Sequence, residues 1–231
     1  NVLRNVNLEI QAGEMVAIMG PSGSGKTTLL YTVSGMDDAT AGKVNFFGKE
    51  LTMLKPNEIS DLRLQEMGFV FQQMYMLKNL SIYDNIILPA YQANQKKNRH
   101  DIQERAKILM QKLGISDVSD NGVNEVSGGQ LQRACICRSL INQPKIIFAD
   151  EPTGALNKQN SIEVMDELTR INTEGTMLVT HDMRVASKCE RVLYIEDGNI
   201  RDEIILGKCI STSDIRQRER QLNEWLIKLG W

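Results

Sequence analysis

The 231-residue chain contains no apolar run approaching the ~18 residues that a membrane-crossing helix needs. Nor does it open with the charged and apolar pattern of a secretory leader, so the expectation is a soluble, cytoplasmic polypeptide. An excess of one charge is lacking as well: 27 basic residues face 29 acidic ones, which argues against a general surface for nucleic acid or anionic lipid. Cysteine is scarce. Cys135, Cys137, Cys189 and Cys209 show neither metal-ligand spacing nor a small secreted framework, and a Cys-x-Cys pair within a helix points its side chains apart. Reduced thiols are expected. Internal repeats and low-complexity linkers are missing. So is an initiating Met: Asn1 already belongs to a strand-like segment, which predicts further residues upstream.

What is present suffices for the core of one substantial domain, since 42% of the residues are apolar. The stretch Gly20-Pro21-Ser22-Gly23-Ser24-Gly25-Lys26-Thr27-Thr28 organises it. This stretch fits the pattern G-x-x-x-x-G-K-[ST]. It lies between Met15–Met19, apolar and β-compatible, and Leu29–Ser34, which continues as a helix. The three glycines let the backbone turn its N–H groups inward as a nest for phosphates, and the helix N-terminus adds its dipole. Lys26 would then reach the β- and γ-phosphates of a triphosphate, and the Thr27 hydroxyl would ligate magnesium.

Elsewhere the periodicity supplies a frame. Val2–Ile10 alternates in part and reads as a strand; Gly42–Gly48 reads as a short strand closed by a turn; Met67–Gln72 reads as a strand with a polar end. From about residue 73 to 143 the period is helical. Leu80–Tyr91 is opened by Ser81 and Asp84 and interrupted at Pro89, His100–Leu113 is stopped by Gly114, and a third helix runs from near Gly129 to before Pro144. Lys145–Ala149 and Met177–Thr180 have the length and composition of buried parallel strands. Val192–Ile195 and Gly198–Glu203 form a hairpin around Glu196-Asp197-Gly198. The tail Ser213–Trp231 is an amphipathic helix with Ile215, Leu222, Trp225, Leu226 and Leu229 near one stripe, which docks on its own domain or on a partner.

Two further stretches carry chemistry. Asp150 and Glu151 stand at the C-terminal tip of a buried strand, where open α/β sheets bind ligands. Asp150 could hold magnesium through water while Glu151 polarises the attacking water. Ser127, Gly128 and Gly129, followed by Gln130 at a helix start, form a second anion site. A second site for one phosphate tail suggests two chains facing each other. His181, just after a strand, could contact the γ-phosphate, whereas His100 in a charged run reads as surface.

In this order the motifs resemble the nucleotide-binding subunits of ABC transporters, over essentially the whole length. The resemblance implies an α/β P-loop NTPase fold: a RecA-like core sheet, an antiparallel β subdomain and an inserted helical subdomain, with residues 1–231 forming one nucleotide-binding domain. It implies a Walker A loop at Gly20–Thr27 with ATP and Mg2+ as ligands. Gln72 becomes the Q-loop glutamine, a magnesium ligand that links the site to the helical insert gripping the membrane partner. Val126–Gln130 becomes the signature, Asp150 the end of the Walker B strand, Glu151 the catalytic glutamate, Gly154–Asn157 the D-loop and His181 the switch histidine. Two nucleotides would lie between two subunits head to tail, each held by the phosphate loop of one and Ser127 to Gln130 of the other. Val126 stands where leucine is usual and keeps an apolar side chain. Asn157 replaces the usual D-loop aspartate, which bears on coupling between the sites and not on nucleotide binding. The aromatic residue that stacks on adenine would precede Asn1.

Gly68–Gln73 and Asp150–Leu156 are similar to the branch that includes macrolide exporters, lipoprotein-release ATPases and the bacitracin/lantibiotic-resistance type. Within it, Asn79–Pro89, Asn157 and Leu222–Trp231 resemble the antimicrobial-peptide resistance transporters most closely. The implied partner is a permease that holds the subunit at the inner face of the cell membrane, with no nucleic acid. A soluble ABC ATPase acting on DNA or ribosomes would need a long coiled-coil insertion or a second cassette, and neither is present. A regulatory module that signals through a membrane partner and a lipoprotein-release ATPase remain as alternatives.

Overall fold

The computed structural model describes residues 2–93, 98–154, 156–171, 175–209 and 214–231. Ala155 of the expected D-loop and Ser213 at the expected start of the tail helix lie outside the described residues. Along the chain run β1 (Met15–Met19), α1 (Lys26–Val33), β2 (Asn45–Phe46), β3 (Lys49–Glu50), α2 (Pro56–Glu66) and β4 (Met67–Val70). There follow α3 (Ile82–Ala93), α4 (Arg99–Lys112), α5 (Gly128–Leu140), β5 (Ile146–Asp150) and α6 (Lys158–Ile171). The remainder holds β6 (Thr176–Val179), α7 (Met183–Ala186), β7 (Arg191–Glu196), β8 (Asn199–Ile205) and α8 (Ile215–Lys228).

Six strands form one sheet in the order β4-β5-β6-β1-β7-β8. All neighbours are parallel except β7 and β8, a hairpin that closes one edge. Helices cover both faces, so the parallel strands are apolar runs without a polar side. Alternation in β1 sorts them by face: Met15, Ala17 and Met19 join the core shared with α3 to α8, while Val16 and Ile18 join Leu29 and Leu30 of α1, Phe46 of β2 and Leu62 of α2. The antiparallel part expected apart from the main sheet is the two-stranded hairpin of β2 and β3.

Three expectations differ from the structure. Val2–Ile10 forms no ladder: Leu3, Val6, Leu8 and Ile10 are half-buried against the core beside α1, so the partial alternation records one-sided packing and not pairing. Its backbone is tied by Arg4 N–H to the Gly198 carbonyl at 2.8 Å. Pro89 lies inside α3 instead of interrupting it. The ring removes one intrahelical N–H, but Ile82, Ile86, Ile87 and Ala90 are buried and hold the helix together. Finally, α2 and α6 were not anticipated, although Pro56 at the first turn with Glu58 accepting from Lys55 N–H at 2.8 Å is a start signal for α2.

Candidate active site

Because β1, β6 and β5 are parallel neighbours, Met19, Val179 and Asp150 end at one edge of the sheet. Lys26, Thr27, Asp150, Glu151 and His181 gather there. Gly20 leaves β1 at φ 149°, and a Cβ at this position would collide with the Ile195 carbonyl oxygen of β7. Gly23 and Gly25 follow at φ 77° and 102°, and Gly25 serves as the N-cap of α1. These left-handed residues curl the loop so that its N–H groups face inward.

Lys26 Nζ bridges the mouth, donating to the carbonyls of Gly20 at 2.9 Å and Pro21 at 2.7 Å. Burial pushes its ammonium below the usual lysine range, against the pull of Glu151 and Asp150. Ser24 Oγ is buried in the same loop and has no hydrogen-bond partner among the described residues. A buried hydroxyl left over in a glycine nest beside a lysine fits a bound phosphate oxygen. Pro21 and Ser22 lie on the exposed side of the loop, and Thr28 is half-buried on α1.

The carboxylates are held from both sides. Thr27 Oγ1 donates to Asp150 Oδ1 at 3.3 Å, and the Tyr31 hydroxyl donates to Asp150 Oδ2 at 3.4 Å. Burial pushes the Asp150 carboxyl above the ordinary range, opposed by these two hydrogen bonds and the Lys26 charge. A hydroxyl beside a half-buried carboxylate is the donor set that suits a magnesium ion shared with substrate phosphates.

Glu151 takes the left-handed conformation at φ 47°, fixed by its N–H to the Val179 carbonyl at 3.0 Å. Its Oε1 lies 2.9 Å from Nδ1 of His181, whose side chain is exposed while that of Glu151 is mostly covered. Gln72 reaches the same loop: its Nε2 is 3.3 Å from where a Cβ on Gly154 would stand, and Glu151 Cβ is 3.4 Å from that point.

The second anion stretch is elsewhere. Ser127 caps α5 by accepting from Gln130 N–H at 3.2 Å, while Gln130 Oε1 accepts from Ser127 N–H at 2.9 Å. The N–H groups of Gly128 and Gly129 have no acceptor among the described residues. Gly129 faces Asn160 on α6, and none of the described hydrogen bonds or close contacts of this stretch reaches the phosphate loop of the same chain. Asn157, the departure in the D-loop, caps α6 by accepting from Asn160 N–H at 2.9 Å, a task aspartate would perform equally. Tyr31 was missed by sequence reasoning; the available signal was its place one turn after Thr27 on the same face of α1.

A family model described as ABC transporter matches residues 3–154. This chain belongs to the ABC transporter family. The ABC domain is 43% identical over 203 residues to the uncharacterized ABC transporter ATP-binding protein YknY of Bacillus subtilis, with 87% of each chain covered. It is 40% identical over 209 residues to the bacitracin export ATP-binding protein BceA of Halalkalibacterium halodurans, covering 89% of this chain and 82% of that one. Against the macrolide export ATP-binding/permease protein MacB of Aggregatibacter actinomycetemcomitans it is 43% identical, but spans only 31% of that protein. Among solved structures, the dimeric post-hydrolysis state of the ATP-binding cassette MJ0796 bound to ADP and Pi superposes with a TM-score of 0.82 at 35% identity, covering 90% of this chain and 92% of that one. The ABC domain is therefore an ATP-binding P-loop NTPase with the ABC ATPase fold, in the macrolide- and bacitracin-type branch. Among its described residues, no helix is long and apolar enough to cross a membrane.

Proposed function

We propose that this chain is the ATP-hydrolysing subunit of a membrane exporter that confers resistance to antimicrobial peptides or related antibiotics. The observation that carries the reading is the convergence of Lys26, Thr27, Asp150, Glu151 and His181 on a glycine nest at one edge of the sheet. The loop N–H groups bind the phosphate tail, and Lys26 exchanges its two loop carbonyls for phosphate oxygens. Thr27, Gln72 and Asp150 would hold a magnesium ion, which when bound neutralises charge on the phosphates. Glu151 accepts a hydrogen bond from the attacking water and takes its proton as the water oxygen bonds to the γ-phosphorus and the bond to the bridging oxygen of ADP breaks. His181 holds the Glu151 carboxylate from the exposed side and stands where a γ-phosphate could meet it.

Ser127, Gly128, Gly129 and Gln130 serve the nucleotide of a second copy, so that ATP closes a head-to-tail dimer. Residues 73–143 form the helical part that engages a permease, which places the subunit on the inner face of the membrane. The dimeric cassette among the structural neighbours and the relatives named for bacitracin and macrolide export support this assignment. Cargo choice belongs to the permease.

Glu151→Gln tests the chemistry: ATP hydrolysis should fall below about a tenth of the wild-type rate while ATP affinity stays within about twofold, because only the water-orienting group is lost. Lys26→Ala should lose nucleotide affinity instead. A Glu151→Gln rate above that level removes Glu151 from the proposed role. In cells, the same variant should restore sensitivity to bacitracin-type peptides, and unchanged resistance would remove the proposed cargo class.

A further inference from the structure

We infer that Tyr31 is a positioning residue for Asp150, its hydroxyl fixing one carboxylate oxygen while Thr27 fixes the other, so that the orientation of the carboxylate is set from a single face of α1. The inference rests on the proposed role of Asp150 in holding magnesium. Thr27 and Tyr31 are spaced i, i+4, which stacks their side chains on one side of the helix. Their hydroxyls meet different oxygens, Oδ1 at 3.3 Å and Oδ2 at 3.4 Å, and no other side chain among the described residues hydrogen-bonds this carboxylate. A carboxylate held at both oxygens cannot rotate its remaining lone pairs away from an incoming ion.

The Tyr31 ring is itself fixed by the segment that carries Gln72. Its edge meets Phe71 with centroids 6.4 Å apart at 77°. Phe71 stacks on Phe69 at 5.8 Å, and Phe69 stacks on Phe148 at 5.7 Å. Phe148 lies two residues before Asp150 on β5, so the aromatic rings close a circuit from the hydroxyl back to the strand that presents the carboxylate. Ring packing alone would be met by phenylalanine; among the described residues, the hydroxyl hydrogen-bonds only Asp150.

The experiment separates ring from hydroxyl. Wild type, Tyr31→Phe and Asp150→Asn are saturated with a non-hydrolysable ATP analogue and titrated with Mn2+, free ion being read by electron paramagnetic resonance. Analogue affinity is measured separately in EDTA. Tyr31→Phe should bind Mn2+ about tenfold more weakly, as expected for loss of an outer-shell partner, with analogue affinity in EDTA unchanged within about twofold. Wild-type Mn2+ affinity in Tyr31→Phe, alongside a clear loss in Asp150→Asn, would overturn the inference and leave the role of Asp150 standing. An equal loss of analogue affinity in EDTA would overturn it too, because the hydroxyl would then be shaping the loop. Wild-type Mn2+ affinity in Asp150→Asn would bring down the metal-holding role itself and the inference with it.

Discussion

Glu151 shows what a single position concedes to the site. A non-glycine residue at φ 47° costs on the order of 1–3 kcal/mol, and the backbone bond to Val179 together with the contact to His181 keeps it there. The conformation turns the side chain off the strand end and toward His181, where a straight continuation of β5 would carry it to the opposite face. Cys135, Cys137 and Cys189 are the contrast, buried in the core. Burial pushes the Cys135 thiol up to about 11 and that of Cys189 to about 12, with Cys137 raised by burial as well. Because each shift is upward, less than about one molecule in a hundred carries a thiolate at any of these three positions at pH 8. Native protein treated with a chromogenic disulfide reagent at that pH should release one equivalent, from the half-buried Cys209, and four after denaturation. Two or more equivalents from the native chain would show that α5 or the connection between α7 and β7 opens on the labelling timescale.

Among the elements, α8 is held by a polar anchor as well as an apolar stripe. Leu222 and Leu226 are buried, and Arg218 is buried with them while donating to the carbonyls of Ser187, Cys189, Leu206 and Gly207. One guanidinium thus satisfies four acceptors left at the end of α7 and after β8, with no carboxylate to compensate its charge among these contacts. Arg218→Ala should cost about 2–4 kcal/mol and free the tail, since the carbonyls lose their donor without gaining water. Urea unfolding and limited proteolysis would register it; a tail as resistant as wild type would show that Leu222, Leu226 and Trp225 suffice alone. The stripe of α8 was readable from spacing, but Arg218 sits among charged residues and looks like solvated surface until its carbonyl partners are known. The same holds across the fold. Strands β1, β5 and β6 and the residues at their tips were legible because buried parallel strands are plain apolar runs and the phosphate motif has fixed spacing. Val2–Ile10 misled because one-sided burial produces the same alternation as pairing. Helix α2 buries little besides Leu62, so it has no stripe to read, and the Tyr31–Asp150 bond joins residues 119 positions apart.

At the scale of the molecule, the phosphate loop and the α5 terminus, proposed here as two halves of one site, are joined by none of the described contacts within a single chain. Gly128 makes this plain: a Cβ there would encounter nothing within 4 Å, so the fold of its own chain does not demand glycine. An aspartate in the first turn of α5 would even favour that helix by about 0.3–1 kcal/mol through the dipole. Gly128→Asp should therefore fold as stably as wild type, yet set a negative charge where the γ-phosphate of a second copy is proposed to rest, and hydrolysis should be lost. Lys26→Ala should be inactive for the opposite reason, its loop failing while its α5 terminus stays sound. Mixed in equal amounts with saturating ATP, these two inactive variants should regain about a quarter of the wild-type rate. Half of the pairs formed are mixed, and in each mixed pair the intact loop of one chain faces the intact α5 terminus of the other at one of two seams. A site completed within one chain forbids any such recovery, and a mixture no faster than its components under conditions where light scattering shows dimers would establish that both halves act in the same polypeptide.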